Sequence, residues 1–159
     1  MKLLRTIIYI TAVSIAVGFT ASQAGAGTRL PGCSDSTGGF GRYFIEVNAL
    51  RAGAKTVVTS PNDTTKVTAK ARIPKGTAES STTIVTTLTI EAVTGGEVIG
   101  QGSVDDITLE VGKGGKGASI NVETESCVDG FITFIATFRG LDADNRPCVR
   151  ARGLNKACR

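Results

Sequence analysis

Residues 65–73 have the sequence TKVTAKARI, in which apolar and polar side chains alternate strictly. Val67, Ala69, Ala71 and Ile73 fall on one face of an extended chain, while Lys, Thr and Arg side chains fall on the other. Because successive side chains of a β-strand point to opposite faces, this period of two predicts a strand with one buried face and one solvated face. The stretch therefore indicates a β protein.

The same alternation recurs along the chain between short turn sequences. Further strands are predicted at residues 44–50, 55–59, 84–93, 97–99, 107–111, 118–125, 131–139 and 148–152. Gly95 and Gly96 suit a tight hairpin, because glycine adopts the positive φ angles that such turns need. The glycine-rich residues 112–117 predict a second hairpin, and Asp105–Asp106 predicts a turn before Ile107. No stretch has the apolar period of an amphipathic helix.

Each predicted strand has one apolar face to bury, so two packed antiparallel sheets are the expected fold, with a closed barrel as the alternative. The strand order, the Thr- and Val-rich middle and the glycine hairpins resemble bacterial immunoglobulin-like modules of the cell-adhesion type over residues 44–153. This resemblance implies an all-β, antiparallel immunoglobulin-like β-sandwich of about 7–9 strands and a role in binding or assembly. The chain lacks the tryptophan that marks many immunoglobulin domains.

The N-terminus has the three parts of a secretory signal. Lys2 and Arg5 precede an uncharged, mostly apolar stretch at residues 7–19, and small residues then lead to a cleavage site near Ala24. The apolar stretch is shorter than the roughly 20 residues of a membrane-spanning helix. We therefore expect residues 1–24 to be removed, residues 25–41 to form a flexible leader, and residues 42–159 to form one domain that is secreted or periplasmic. A retained anchor and lipidation at Cys33 are the alternatives.

Four cysteines in an exported chain predict two disulfides. Their spacing includes no C-x-x-C motif, and the chain has no histidine, so a zinc site is disfavoured. A hairpin with Arg139 near Cys148 would bring Cys127 within reach of Cys158 and leave Cys33 for Cys148. This pairing is one of three possible connectivities.

No catalytic residue and no cofactor is predicted. Without histidine, the Ser-His-Asp and Cys-His arrangements are excluded. The acid pairs of the chain are interpreted as turn or strand-surface residues, although a hydrolase with carboxylates from distant strands is a further hypothesis. Residues 112–117 (GKGGKG) lack the Ser or Thr of a phosphate-binding loop after either lysine.

The C-terminal region holds the candidate ligand-binding residues, which are Arg139, Arg150, Arg152 and Lys156. Arg150 and Arg152 share one strand face, so they could present paired guanidinium groups to carboxylates or phosphates. Alternatively, these charges only prevent aggregation of an edge strand.

A second candidate is the sequence Asp142, Asp144, Asn145, in which oxygen-bearing side chains are spaced as in calcium loops. Arg146 and Pro147 break that motif, so a polar turn is favoured and no metal is predicted.

We expect an exported, non-catalytic module for binding or assembly at the bacterial envelope or outside the cell, such as an adhesion, matrix or filament subunit. Its partners would be other surface proteins or anionic polysaccharide, and a homo-oligomer could form if the leader adds a strand to a neighbour. Loss of Lys2 and Arg5 leaves 16 basic against 14 acidic residues, which argues against nucleic acid as a partner. The alternative is a periplasmic accessory protein that binds a small ligand, an ion or an anionic polymer.

Overall fold

The computed structural model describes residues 32–34, 43–53, 55–78 and 80–159, which form eight β-strands and no helix. The all-β prediction is therefore confirmed for this part of the chain. The strands are β1 (Glu46–Ala52), β2 (Thr56–Val57), β3 (Thr64–Arg72), β4 (Thr83–Thr94), β5 (Glu97–Glu110), β6 (Lys116–Glu123), β7 (Phe131–Leu141) and β8 (Pro147–Cys158). The predicted signal peptide (residues 1–24) and most of the predicted leader (residues 25–41) lie outside the described residues.

The strands form two sheets that share one hydrophobic core. The smaller sheet has the order β1-β3-β6, and the larger has the order β2-β8-β7-β4-β5. All neighbouring strands are antiparallel except β2 and β8. The face of β3 that includes Val67 and Ala71 is buried, as its alternation predicts, and packs in the same cluster as Leu88, Phe134 and Phe138 of the larger sheet.

The predicted turn at Asp105–Asp106 is wrong, because both residues lie inside the continuous strand β5. Thr86 is opposite Ile107 and Leu88 is opposite Val104, so two residues of β5 face one residue of β4. This is a β-bulge, and Asp106 adopts a φ of 60° there. Aspartate tolerates this left-handed conformation better than most residues, which is why the pair resembles a turn in the sequence. The strands predicted at residues 97–99 and 107–111 are thus one strand.

The hairpin predicted at residues 112–117 is also wrong. This segment crosses from the larger sheet to the smaller one, because β5 pairs with β4 whereas β6 pairs with β3. The sheets approach closely at the ends of β5 and β6 away from the crossing, where a Cβ placed on Gly100 would lie 2.7 Å from the carbonyl oxygen of Glu123. Glycine at this point lets the backbone of β6 pack directly on the inner face of β5.

Two disulfides fix both ends of β8. They join Cys33 to Cys148 and Cys127 to Cys158, with Cα–Cα distances of 5.3 and 6.5 Å. These are the pairs that the hairpin register predicted, although Cys148 lies opposite Gly140 and not Arg139. Because β8 has only one long neighbouring strand in the part of the chain that the structure describes, the two disulfides replace part of the anchoring that a second neighbour would give.

Candidate functional site

Three of the four predicted basic residues form a row on β8. Arg150 is opposite Phe138 and Arg152 is opposite Ala136, and both of these β7 residues are buried. Lys156 shares this inner face, because residues two or four apart on a strand point the same way. With a rise of about 3.4 Å per residue, Arg150 and Lys156 are separated by about 20 Å. We call Arg150, Arg152 and Lys156 the basic row.

The basic row points to the core side of the larger sheet, yet Arg150 and Arg152 are exposed. The reason is that β1 is the last strand of the smaller sheet and, among the described residues, pairs only with β3. Nη1 of Arg152 donates a hydrogen bond to the carbonyl oxygen of Val47 at 3.1 Å, so the basic row lies beside β1. Just before β1, Tyr43 exchanges backbone hydrogen bonds with Cys33, and the edge of β1 that has no strand partner among the described residues is called its free edge below. We call the region between this edge and the basic row the open side.

The second strand that borders the open side, β8, is also largely unpaired on its outer edge. Within the described ranges, β2 pairs only with Ala157 and Cys158 at its far end. Backbone N–H and C=O groups of such edges are able to bind a further strand. The alternation of the sequence did not predict this arrangement, because it gives the face of each residue but not which strands end a sheet.

Arg139 is separated from the basic row, so the four predicted residues do not form one site. It lies opposite Val149 on the outer face of the larger sheet. There it lines a cavity of about 590 Å³ together with Val85, Leu141 and Asp106. This volume is in the range of small-molecule sites. The cavity could not be predicted from the sequence, since its exposed apolar residues, Val85 and Leu141, occupy strand positions expected to face solvent.

The calcium-loop candidate is a turn held by its first residue. Oδ1 of Asp142 accepts hydrogen bonds from the backbone N–H groups of Asp144 (3.0 Å) and Arg146 (2.9 Å). Oδ2 accepts one from the N–H of Ser34 at 2.8 Å, next to the Cys33–Cys148 disulfide. Both oxygens are thus used within the protein, while Asn145 is exposed with a φ of 57°. In the part of the chain that the structure describes, no three acidic or cysteine side chains are grouped as metal ligands.

The Asp142 carboxylate should make stability depend on acid pH. Burial raises its pKa, but the N–H donors of Ser34, Arg146 and Asp144 and the charge of Arg146 outweigh burial, so the pKa is lowered. A group with a lowered folded-state pKa stabilises fully above its unfolded value of about 3.9, and the stabilisation is lost as the pH falls through the folded pKa.

The substitution Asp142→Ala should therefore lower the free energy of unfolding by about 1–3 kcal/mol at pH 7. The loss should be smaller at about pH 2, because a larger fraction of the wild-type carboxyl is protonated there than at pH 7. Urea unfolding at both pH values measures it, with the exposed Asp144→Ala as the control. An equal loss at both pH values would contradict the assigned role of the carboxylate.

None of the described residues forms a helix that is long and apolar enough to cross a membrane. The structural features that bear on function are the open side, the cavity at Arg139 and the two disulfides. Comparison with known proteins gives no match, whether to a family model, a curated protein or a solved structure.

Proposed function

We propose that the chain is an exported, non-catalytic β-sandwich module of immunoglobulin-like type that binds or assembles with other components of the cell envelope or the extracellular space. The observation that carries this proposal is the open side, where a strand edge that is unpaired among the described residues lies beside the exposed Arg150 and Arg152 and the half-buried Lys156. The two disulfides support an oxidising location, such as the periplasm or the cell exterior.

The open side combines two kinds of recognition. The free edge of β1 can bind the backbone of an extended partner by strand addition, which is not specific for sequence. The guanidinium groups of Arg150 and Arg152 can bind carboxylates through paired, charge-assisted hydrogen bonds. Side chains at every second position of a partner strand repeat at about 7 Å, which equals the spacing of Arg150 and Arg152 and is half the spacing of Arg152 and Lys156. The partner that uses both features is an extended protein segment with acidic residues on one face.

The disulfides prepare this site for binding. Cys148 and Cys158 lie near the two ends of β8, so the strand that carries the basic row is held at both ends in the free protein. Less conformational entropy is then lost when a partner binds, and affinity rises for the same contacts.

Calorimetric titration tests the proposal with a peptide in which glutamate and valine alternate. We expect binding, and we expect the double variant Arg150→Glu, Lys156→Glu to weaken it about tenfold or more. This variant keeps Arg152 and its hydrogen bond to Val47. A peptide with lysine in place of glutamate should not bind, and an anionic polysaccharide should bind more weakly because it cannot add as a strand.

The matched control reverses two charges elsewhere. Lys66→Glu with Lys70→Glu makes the same change in net charge on the exposed face of β3. We expect it to change the affinity by less than about twofold, apart from long-range effects that salt removes. Equal weakening in both double variants would show non-specific attraction and contradict the proposal.

The cavity at Arg139 supports a second candidate function, that of a periplasmic protein binding a small ligand. Its exposed Val85 and Leu141 offer apolar contact, and Arg139 and Asp106 offer one charge of each sign. The function would be favoured if Arg139→Glu abolished binding of an anionic probe that the basic-row variant still binds.

A further inference from the structure

The free edge at the opposite side of the larger sheet is acidic. Strand β5 ends this sheet and, among the described residues, pairs only with β4. Its 14 residues include four carboxylates and no lysine or arginine, whereas β8 contains three cations and no carboxylate. The carboxylates of β5 are Glu97, Asp105, Asp106 and Glu110. One border of the same sheet is thus negative and the other positive.

At least two of these carboxylates lie on the outer face of the sheet. Oδ1 of Asp105 accepts a hydrogen bond from Oγ1 of Thr87, which belongs to the outer face of β4. Glu110 is opposite Thr83 on the same face. The only ion pair among the described residues joins Arg72 to Glu46. Neither the acidic border nor the basic row is therefore neutralised by a salt bridge within that part of the chain.

We propose that β5 of a second copy of this chain adds along the free edge of β1, with its outer face over the basic row. Asp105 and Glu110 of the added strand then face the basic row on β8 of the first copy. This proposal rests on the proposed assembly function and identifies the partner as a second copy of the same chain.

The geometry allows both copies to keep the same orientation. The larger sheet of the second copy continues the smaller sheet of the first, so each copy is displaced by one sheet-to-sheet spacing of about 10 Å perpendicular to the sheets, and also by several strand widths across the strands. The contact joins two different surfaces, which leaves one acidic and one basic border unused at the ends. Addition can therefore continue into an open, stepped filament.

The charge distribution also excludes the competing contacts. Two β5 edges would place carboxylates against carboxylates, and two basic rows would place cations against cations. Like charges thus prevent symmetric pairing, while the mixed pairing is favoured. The same edge charges therefore disfavour contacts between two identical borders and favour the contact between an acidic border and a basic one.

Sedimentation of the full chain, purified under oxidising conditions, tests the contact over concentrations up to about 1 mM. We expect the mean mass to rise with concentration and to fall with added salt. Arg150→Glu with Lys156→Glu removes the basic partner, and Asp105→Lys with Glu110→Lys removes the acidic one. Each double variant alone should be monomeric, because each retains only one functional border.

Mixing the two double variants gives the decisive result. The intact β5 of the first variant can bind the intact basic row of the second, and no further addition is possible. We expect a 1:1 heterodimer and no larger species, while the control Lys66→Glu, Lys70→Glu should still polymerise. Polymers in either double variant alone, or no heterodimer in the mixture, would overturn the inference.

A wild-type chain that stays monomeric up to about 1 mM would also overturn it. In that case the acidic peptide titration separates the two proposals. If the peptide still binds at the basic row, the proposed function stands with a different partner, and if it does not, both proposals fall.

Discussion

Replacing Cys33 and Cys148 by alanine should lower the free energy of unfolding by about 2–5 kcal/mol. The disulfide links residues separated by 115 positions, so it removes much conformational entropy from the unfolded chain. Alanine is the suitable replacement, because Cys148 is only 2% exposed and a serine would bury a hydroxyl group. Denaturant unfolding under oxidising conditions measures the loss.

The second disulfide provides the comparison. Cys127 and Cys158 are separated by 31 positions, so loop closure makes their contribution about 1 kcal/mol smaller than that of the first pair. Alanine at both positions should therefore be the less damaging double replacement. If it were clearly the more damaging, the stabilisation would not follow loop length and would have to come from contacts at the end of β8.

The second large effect is expected for Gly100→Ala, with a loss of about 1–3 kcal/mol or more. Gly100 lies on the inner face of β5 opposite the buried Ala92. An added Cβ would lie 2.7 Å from the carbonyl oxygen of Glu123 and 2.9 Å from its nitrogen. These are backbone atoms of a paired strand, since Glu123 is opposite Thr64 of β3, so they cannot move aside as a flexible side chain would. The sheets would be forced apart where β5 packs on β6.

Gly114→Ala is the matched control for this replacement. No atom lies within 4 Å of a Cβ at this position in the crossing between the sheets. We expect its stability to change by less than about 0.5 kcal/mol. Thermal unfolding of both variants measures the difference, and equal melting temperatures would contradict the close packing of β5 on β6.

Alternation of side chains predicted the long strands β3, β4 and β7 and their buried faces. Val67, Ala69 and Ala71 on β3 and Phe134 and Phe138 on β7 are buried as expected, because a period of two leaves little freedom in which face meets the core. The disulfide pairing also followed from one hairpin, since Phe131 opposite Ala157 necessarily brings the preceding and following residues together.

The alternation does not show which strands pair with each other in the sheets. The glycines of residues 112–117 favour a turn whether the chain pairs back on the same sheet or crosses to the other. The bulge at Asp105–Asp106 interrupts alternation just as a true turn does. The sequence likewise groups Arg139 with Arg150 and Arg152 because they are close along the chain, whereas the register places Arg139 on the other face.

The central claim is that a partner binds at the open side, along the free edge of β1 and over the basic row. Hydrogen exchange during the titration with the acidic peptide tests this most directly, because amides on an unpaired edge exchange quickly unless a new strand protects them. We expect amides of β1 to exchange more slowly in the complex, while those around Val85 and Leu141 stay unchanged. Unchanged exchange throughout β1, or protection confined to the cavity at Arg139, would contradict the claim.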